Sequence, residues 1–145
     1  MFLIGIDDAG RGPVIGSMFL AGVLIRKEHE SKLKKLGAKD SKLLLHSQRI
    51  KIAEQIKKQA VKYHIVEASP QEIDNAVLSG KNLNTLEAKK MAQVINELNN
   101  GKKETKVIVD CPSINIKNWR EKLLSFIIIK NNLTVVCEHK ADFNY

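Results

Sequence analysis

The chain opens on an apolar run, Phe2-Leu3-Ile4-Gly5-Ile6, which meets Asp7 and Asp8 and then the turn-forming Ala9-Gly10-Arg11-Gly12-Pro13. A second apolar run covers residues 14–25 and carries Gly16 and Gly22. Glycine inside such a run lowers helical tendency and marks a strand with a bend or a close approach. Two strands paired antiparallel are expected. Residues 28–36 and 47–58 predict helices; in the second, Ser47 can cap, and Ile50, Ile52, Ala53 and Ile56 fall near helical spacing. Val61, Tyr63 and Ile65 alternate over 60–67 and predict a strand. Ser69-Pro70-Gln71-Glu72 opens a short helix, with Ser69 as cap and Pro70 at its first position. The longest amphipathic helix is predicted over 83–99, with Leu83, Leu86, Met91, Val94, Ile95 and Leu98 inward. A β-branched strand follows over 105–109 and ends at Asp110, then a helix near 116–126 and a strand at 132–138.

The later half is thus strand, helix, strand, and a crossover helix implies parallel pairing. The early half is a hairpin plus one more strand. Together they predict an α/β fold, a mixed five-stranded sheet flanked by helices, in one domain over residues 1–145. The chain shows no repeat, low-complexity tract or linker. With 43% hydrophobic and 28% charged residues it has the composition of a folded domain rather than a disordered one. No apolar stretch approaches the ~20 residues of a membrane span, and the first residues lack a basic leader, so a cytoplasmic protein with no membrane partner is expected. Cys111 and Cys137 make neither a disulfide framework nor a zinc quartet and are expected as reduced thiols.

Charge adds a partner class. Lys and Arg number 24 against 16 Asp and Glu, a net charge of +8. That surplus suits a polyanion, although most of it is Lys, which also serves as solvated helix surface.

The candidate chemistry lies in the carboxylates. Asp7 and Asp8 end the first strand and Asp110 the fourth; were those strands parallel neighbours, the acids would share the sheet edge at which α/β folds build their sites. Consecutive strand residues face opposite ways, so Asp7 and Asp8 converge only if the chain leaves the strand at Asp8. Asp142 lies four residues past Glu138, close enough to reach the same edge. Clustered aspartates stay ionised together only around a cation. Oxygen-only ligands favour Mg²⁺ or Mn²⁺, and two such ions about 3.5–4 Å apart clamp both oxygens of a phosphodiester displacement. Each Asp alone also fits a turn residue; the combination carries more. In Gly10-Arg11-Gly12 the glycines admit a ligand to the backbone, and Arg11 with nearby amides suits a phosphate, as does Lys42 of Asp40-Ser41-Lys42. Taken singly these read equally well as turn and loop residues. His29, His46, His64 and His139 show no ligand spacing, and Trp119 reads as core.

The segment Gly5-Ile6-Asp7-Asp8-Ala9-Gly10-Arg11-Gly12-Pro13-Val14-Ile15-Gly16 closely resembles the opening signature of ribonuclease HII. The resemblance continues through Asp40-Ser41-Lys42, Asn82-Leu83-Asn84-Thr85-Leu86-Glu87-Ala88, Val107-Ile108-Val109-Asp110 and Ala141-Asp142-Phe143-Asn144-Tyr145, most like the archaeal branch. It implies a ribonuclease H-like fold and Mg²⁺- or Mn²⁺-dependent endonucleolysis. The substrates would be the RNA strand of RNA/DNA hybrids and ribonucleotides embedded in duplex DNA, with a 3′-hydroxyl product and roles in replication and repair. Asp7, Asp8, Asp110 and Asp142 would be the catalytic metal ligands. Gly10, Arg11 and Gly12 would grip the backbone and sense the 2′-hydroxyl, the group that separates RNA from DNA. Lys42 would meet a phosphate, and Tyr145 would stack on the neighbouring sugar. Two departures stand out. The family has Glu where this chain has Asp8, and relatives continue past Asp-x-x-Tyr into helices, whereas this sequence stops at Tyr145. A monomer is expected unless a partner supplies those helices. Cleavage is the leading expectation; the alternative is a hybrid-binding domain left with little catalysis by the shorter Asp8 and the short C-terminal end.

Overall fold

A computed structural model describes residues 1–9, 17–31, 54–80 and 83–138, with the backbone alone at residues 7–9. Five strands form one sheet: β1 (Phe2–Ala9), β2 (Met18–Arg26), β3 (Lys62–Ala68), β4 (Thr105–Asp110) and β5 (Leu133–Glu138). Their spatial order is β3-β2-β1-β4-β5. β1 pairs antiparallel with β2, from Phe2↔Arg26 to Ala9↔Phe19, and β2 pairs antiparallel with β3. β1 with β4 and β4 with β5 are parallel. The sheet is mixed, as the hairpin-then-crossover order predicts.

Helices α1 (Pro70–Leu78), α2 (Leu83–Leu98) and α3 (Ile116–Phe126) follow. Ser69 caps α1 in a reciprocal box with Glu72, and Pro70 occupies the first turn, where its missing N–H costs nothing. Asn115 caps α3 through Asn118 N at 3.1 Å. The predicted helix over 28–36 is described only as a 3₁₀ turn at Lys27–His29 and helical residues 30–31. Of the helix predicted over 47–58, only 54–59 is described and helical; Ser47, Ile50, Ile52 and Ala53 lie outside the described residues.

One face of the sheet carries the core. Ile4, Ile6, Met18, Leu20, Leu24, Val107, Val109 and Val135 are buried there with Met91, Val94 and Ile95 of α2 and Trp119 and Leu123 of α3. Gly22 is the close approach between helix and sheet: a Cβ on it would stand 2.3 Å from Val94 Cγ1. Trp119 is core, as expected, and its indole N–H donates to Asn84 O at 3.0 Å, pinning α3 to the first turn of α2.

The alternating Val61, Tyr63 and Ile65 mark a strand, as expected, and form its outward face: Tyr63 is 48% and Ile65 55% exposed, while Ala68 is fully buried. Lys57 lies 5.4 Å over the Tyr63 ring and shields it in part. One condition that the sequence raises is not met: the chain does not leave β1 at Asp8. The ladder continues through Asp8↔Leu20 and Ala9↔Phe19, so the local departure needed for Asp7 and Asp8 to converge is not present.

Candidate active site

Of the three parallel strands, β4 and β5 end level with each other at Asp110 and Glu138, while β1 runs on to Ala9. The last pair between β1 and β4 is Ile6↔Val109, and the next residues are Asp7 and Asp110. On the other side, Asp110 pairs with Glu138 of β5. Adjacent strands lie about 4.8 Å apart, so the backbone sets three acidic positions in a row across the carboxyl edge. β1 and β4 are the parallel neighbours on which the sequence reading of Asp7 and Asp110 depends.

Asp110 is held on both sides. Beyond it Cys111 N donates to Glu138 O at 3.0 Å, so β4 and β5 stay paired past the acid. Val109 and Cys111 are buried while Asp110 is exposed, the alternation of a strand with one covered face. From α3, Arg120 Nε donates to Val135 O at 3.2 Å and ties β5 to the crossover helix.

The two cysteines lie beside this edge on its buried side and act as neutral thiols. Burial pushes the Cys137 thiol up to about 12, helped by the nearby Cys111 and opposed by Arg120. Burial also raises Cys111, against a hydrogen bond to Ser113 O at 3.4 Å. Both are free, and burial disfavours the thiolate of each.

Of the predicted site residues, Asp110 is fully described and Asp7 and Asp8 are placed by backbone register. Gly10, Arg11, Gly12, Lys42, Asp142 and Tyr145 lie outside the described residues, as do His46 and His139. Among the described residues, no three His, Cys, Asp or Glu are gathered to hold a metal ion. The described part of the edge therefore offers Asp110 and Glu138, and further oxygen ligands would have to come from Asp7, Asp8 or Asp142.

Two buried charges escaped the sequence reading. Glu87 of α2 is 2% exposed, and the Lys90 side chain is 10% exposed. Lys90 Nζ pairs with Glu72 Oε2 at 2.7 Å. That ammonium holds the Glu72 carboxyl below the usual range, with Ser69 N adding to the effect. A signal existed: Glu87 and Lys90 fall at helical spacing with Leu83, Met91 and Val94, on the inward stripe. The place of Glu138 opposite Asp110 depends on strand register, which the sequence alone does not specify.

The ribonuclease HII family model matches residues 4–145. The ribonuclease HII of Methanobrevibacter smithii is 37% identical over 145 residues, covering all of this chain and 66% of its own length. The ribonuclease H2 of Pyrococcus horikoshii superposes with a TM-score of 0.86 at 33% identity, covering all of this chain and 65% of that one. Ribonuclease HII of Archaeoglobus fulgidus, solved as a complex with PCNA, gives 0.82 at 34% identity, with 66% of that chain covered. The chain spans about two thirds of the length of these relatives. The match over nearly every residue, together with a shared fold and the acidic edge at β1 and β4, leads to one conclusion: the chain belongs to the ribonuclease HII family.

Proposed function

We propose that the chain is the catalytic part of a metal-dependent endoribonuclease. It would hydrolyse the RNA strand of RNA/DNA hybrids and incise duplex DNA at embedded ribonucleotides. The observation that carries this reading is the register of β1 and β4, which brings Asp7 beside Asp110 at the carboxyl edge in a chain of this family.

The donor set fits a hard divalent cation. Oxygen ligands on neighbouring strands suit Mg²⁺ or Mn²⁺, and burial disfavours the thiolate form of the nearby Cys111 and Cys137. Asp7 and Asp110 would hold the ion with Asp142 completing the set, and Asp8 would join them only if metal or substrate draws the end of β1 out of its ladder with β2. A bound divalent ion supplies charge neutralisation at the phosphodiester and a more acidic water. Gly10, Arg11 and Gly12 would grip the strand at its 2′-hydroxyl, Lys42 would neutralise a phosphate, and Tyr145 would stack on the adjacent sugar. The net charge of +8 favours the approach of such a polyanion.

The test is incubation with a duplex carrying one ribonucleotide and with a continuous hybrid, in Mg²⁺, in Mn²⁺ and in chelator. Cleavage to a 3′-hydroxyl product in either metal, and none in chelator, is expected. Retention of both duplexes without cleavage would replace this reading with a binding domain.

A further inference from the structure

We propose that the turn after α3 is a docking site for an acidic segment of a partner protein, gripped through one aliphatic side chain. The turn meets the sheet where β4 and β5 begin, since Thr105 N donates to Asn132 O at 2.9 Å. The six residues of β4 separate it from the acidic edge by roughly 17 Å. The inference is therefore independent of the functional reading above.

Phe126, Ile128 and Ile129 face solvent, while Ile127 among them is buried. Ile128 is 81% exposed, although folding generally gains by hiding such a side chain. The backbone that holds these residues outward is fixed by side chains. Asn96 donates to Phe126 O at 3.2 Å and accepts from Ile128 N at 2.9 Å. Asn99 donates to Ile129 O at 3.0 Å, and Lys130 Nζ donates to Leu124 O at 3.2 Å. Ile128 and Ile129, with Asn96 and Asn99, line a shallow hollow of about 90 Å³, which suits one aliphatic side chain. Exposed, contiguous apolar surface with a polar rim marks an interaction site. A hollow held ready in this way also lowers the ordering cost of association.

The rim gives the partner its charge. Gly101 lies against Ile129: a Cβ on it would stand 3.0 Å from Ile129 Cγ2. The exposed Lys102 and Lys103 follow Gly101, and the exposed Lys130 follows Ile129. Asn132 Nδ2 donates to Lys103 O at 2.8 Å and ties this basic stretch to the turn. Glu104 is the acid next in sequence, so three ammonium groups stand against one carboxylate around the hollow. They match a segment that carries carboxylates beside an aliphatic residue. A second copy of the chain fits poorly, because a two-fold contact sets the same lysines face to face. A nucleic-acid strand would use the lysines and leave the hollow empty.

The test is selection of a displayed random-peptide library on the intact protein, followed by NMR titration of each enriched peptide. Enriched peptides should carry an aliphatic residue flanked by Asp or Glu, and should shift the side-chain amide signals of Asn96 and Asn99. Ile128→Ser should weaken their binding at least about fivefold, the scale of an interface anchor. The double variant Lys102→Glu, Lys103→Glu should weaken it by a similar factor through charge alone. All three side chains are exposed, so melting temperatures should match that of the unaltered protein. No enrichment, enriched peptides without acids, or affinities indifferent to both variants would overturn the proposal. Self-association that Ile128→Ser abolishes would also overturn it, as would a single-stranded oligonucleotide that shifts the same amide signals.

Discussion

The two ends of the sheet are built on opposite principles. At the end where β4 begins, polar groups satisfy one another. Asn99 donates to Ile129 O at 3.0 Å and accepts from Gly101 N at 3.0 Å and from Asn132 at 2.8 Å. Asn132 also donates to Lys103 O, and Asn96 donates to Phe126 O and accepts from Ile128 N. These amides stitch the turn after α3 onto α2 and onto the approach to β4. At the other end the backbone sets acidic positions side by side instead: Asp7 and Asp110 directly follow the paired Ile6 and Val109, and Glu138 pairs with Asp110. Matched donors and acceptors rigidify a structure, whereas gathered carboxylates cost stability until a cation or substrate arrives. The contrast sets a holding end against the end proposed to do the chemistry, the working end.

The largest effect should come from the working end. Asp110→Asn is expected to lower cleavage by at least about 100-fold, since outer-shell changes alone cost 10–100-fold in metal sites. Its melting temperature should stay level, because Asp110 is exposed and outside the core. A fall in stability matching the loss of activity would erase the distinction between the ends.

Between the ends, Gly22→Ala probes the helix–sheet contact. The new methyl would overlap Val94, at a cost of about 1–3 kcal/mol for overpacking, read from the denaturant midpoint. At the holding end, Asn99→Ala should cost about 1–3 kcal/mol by stranding several partners, with kcat unaltered. A kcat that falls with it would show that the two ends are coupled.

The smallest effect concerns pH. The Cys137 thiol is raised in the folded state to about 12 from its ordinary 9.0. Its contribution is therefore complete below pH 9 and declines as pH rises from there toward 12. Glu72 runs the other way: its carboxyl is depressed, so its contribution holds above the ordinary 4.5 and is lost as pH falls below it. Alkylation of Cys137 at pH 8 should be much slower in the folded protein than in denaturant. Equal rates would contradict the burial that keeps this thiol out of the site.

Much of this was legible because short-range chemistry wrote it. β-Branched runs marked the strands, Ser69-Pro70 marked a helix start, and the strand-helix-strand order of the later half foretold β4 parallel to β5; that β1 lies parallel beside β4, the condition for Asp7 to meet Asp110, came from the fold. What stayed hidden depends on long-range partners. Periodicity gives the alternation of Tyr63 and Ile65 but not which side α2 will cover. The continuation of β1 through Asp8 is a gift of β2, whose Leu20 and Phe19 keep pairing where local turn formers suggest an exit. Lys90 could be buried because Glu72 waits on α1, 18 positions earlier in the chain, a partner no local pattern announces.

The central claim is that Asp7 and Asp110 act as one unit because adjacent parallel strands place them at the same level. The most direct measurement is single-turnover cleavage of a one-ribonucleotide duplex by Asp7→Asn, by Asp110→Asn and by the double variant, with duplex affinity measured alongside. Groups that act together are strongly non-additive. The double variant should therefore lose little more activity than either single one, and all three should still bind the duplex. Losses that multiply, or near-full cleavage by either single variant, would contradict the claim.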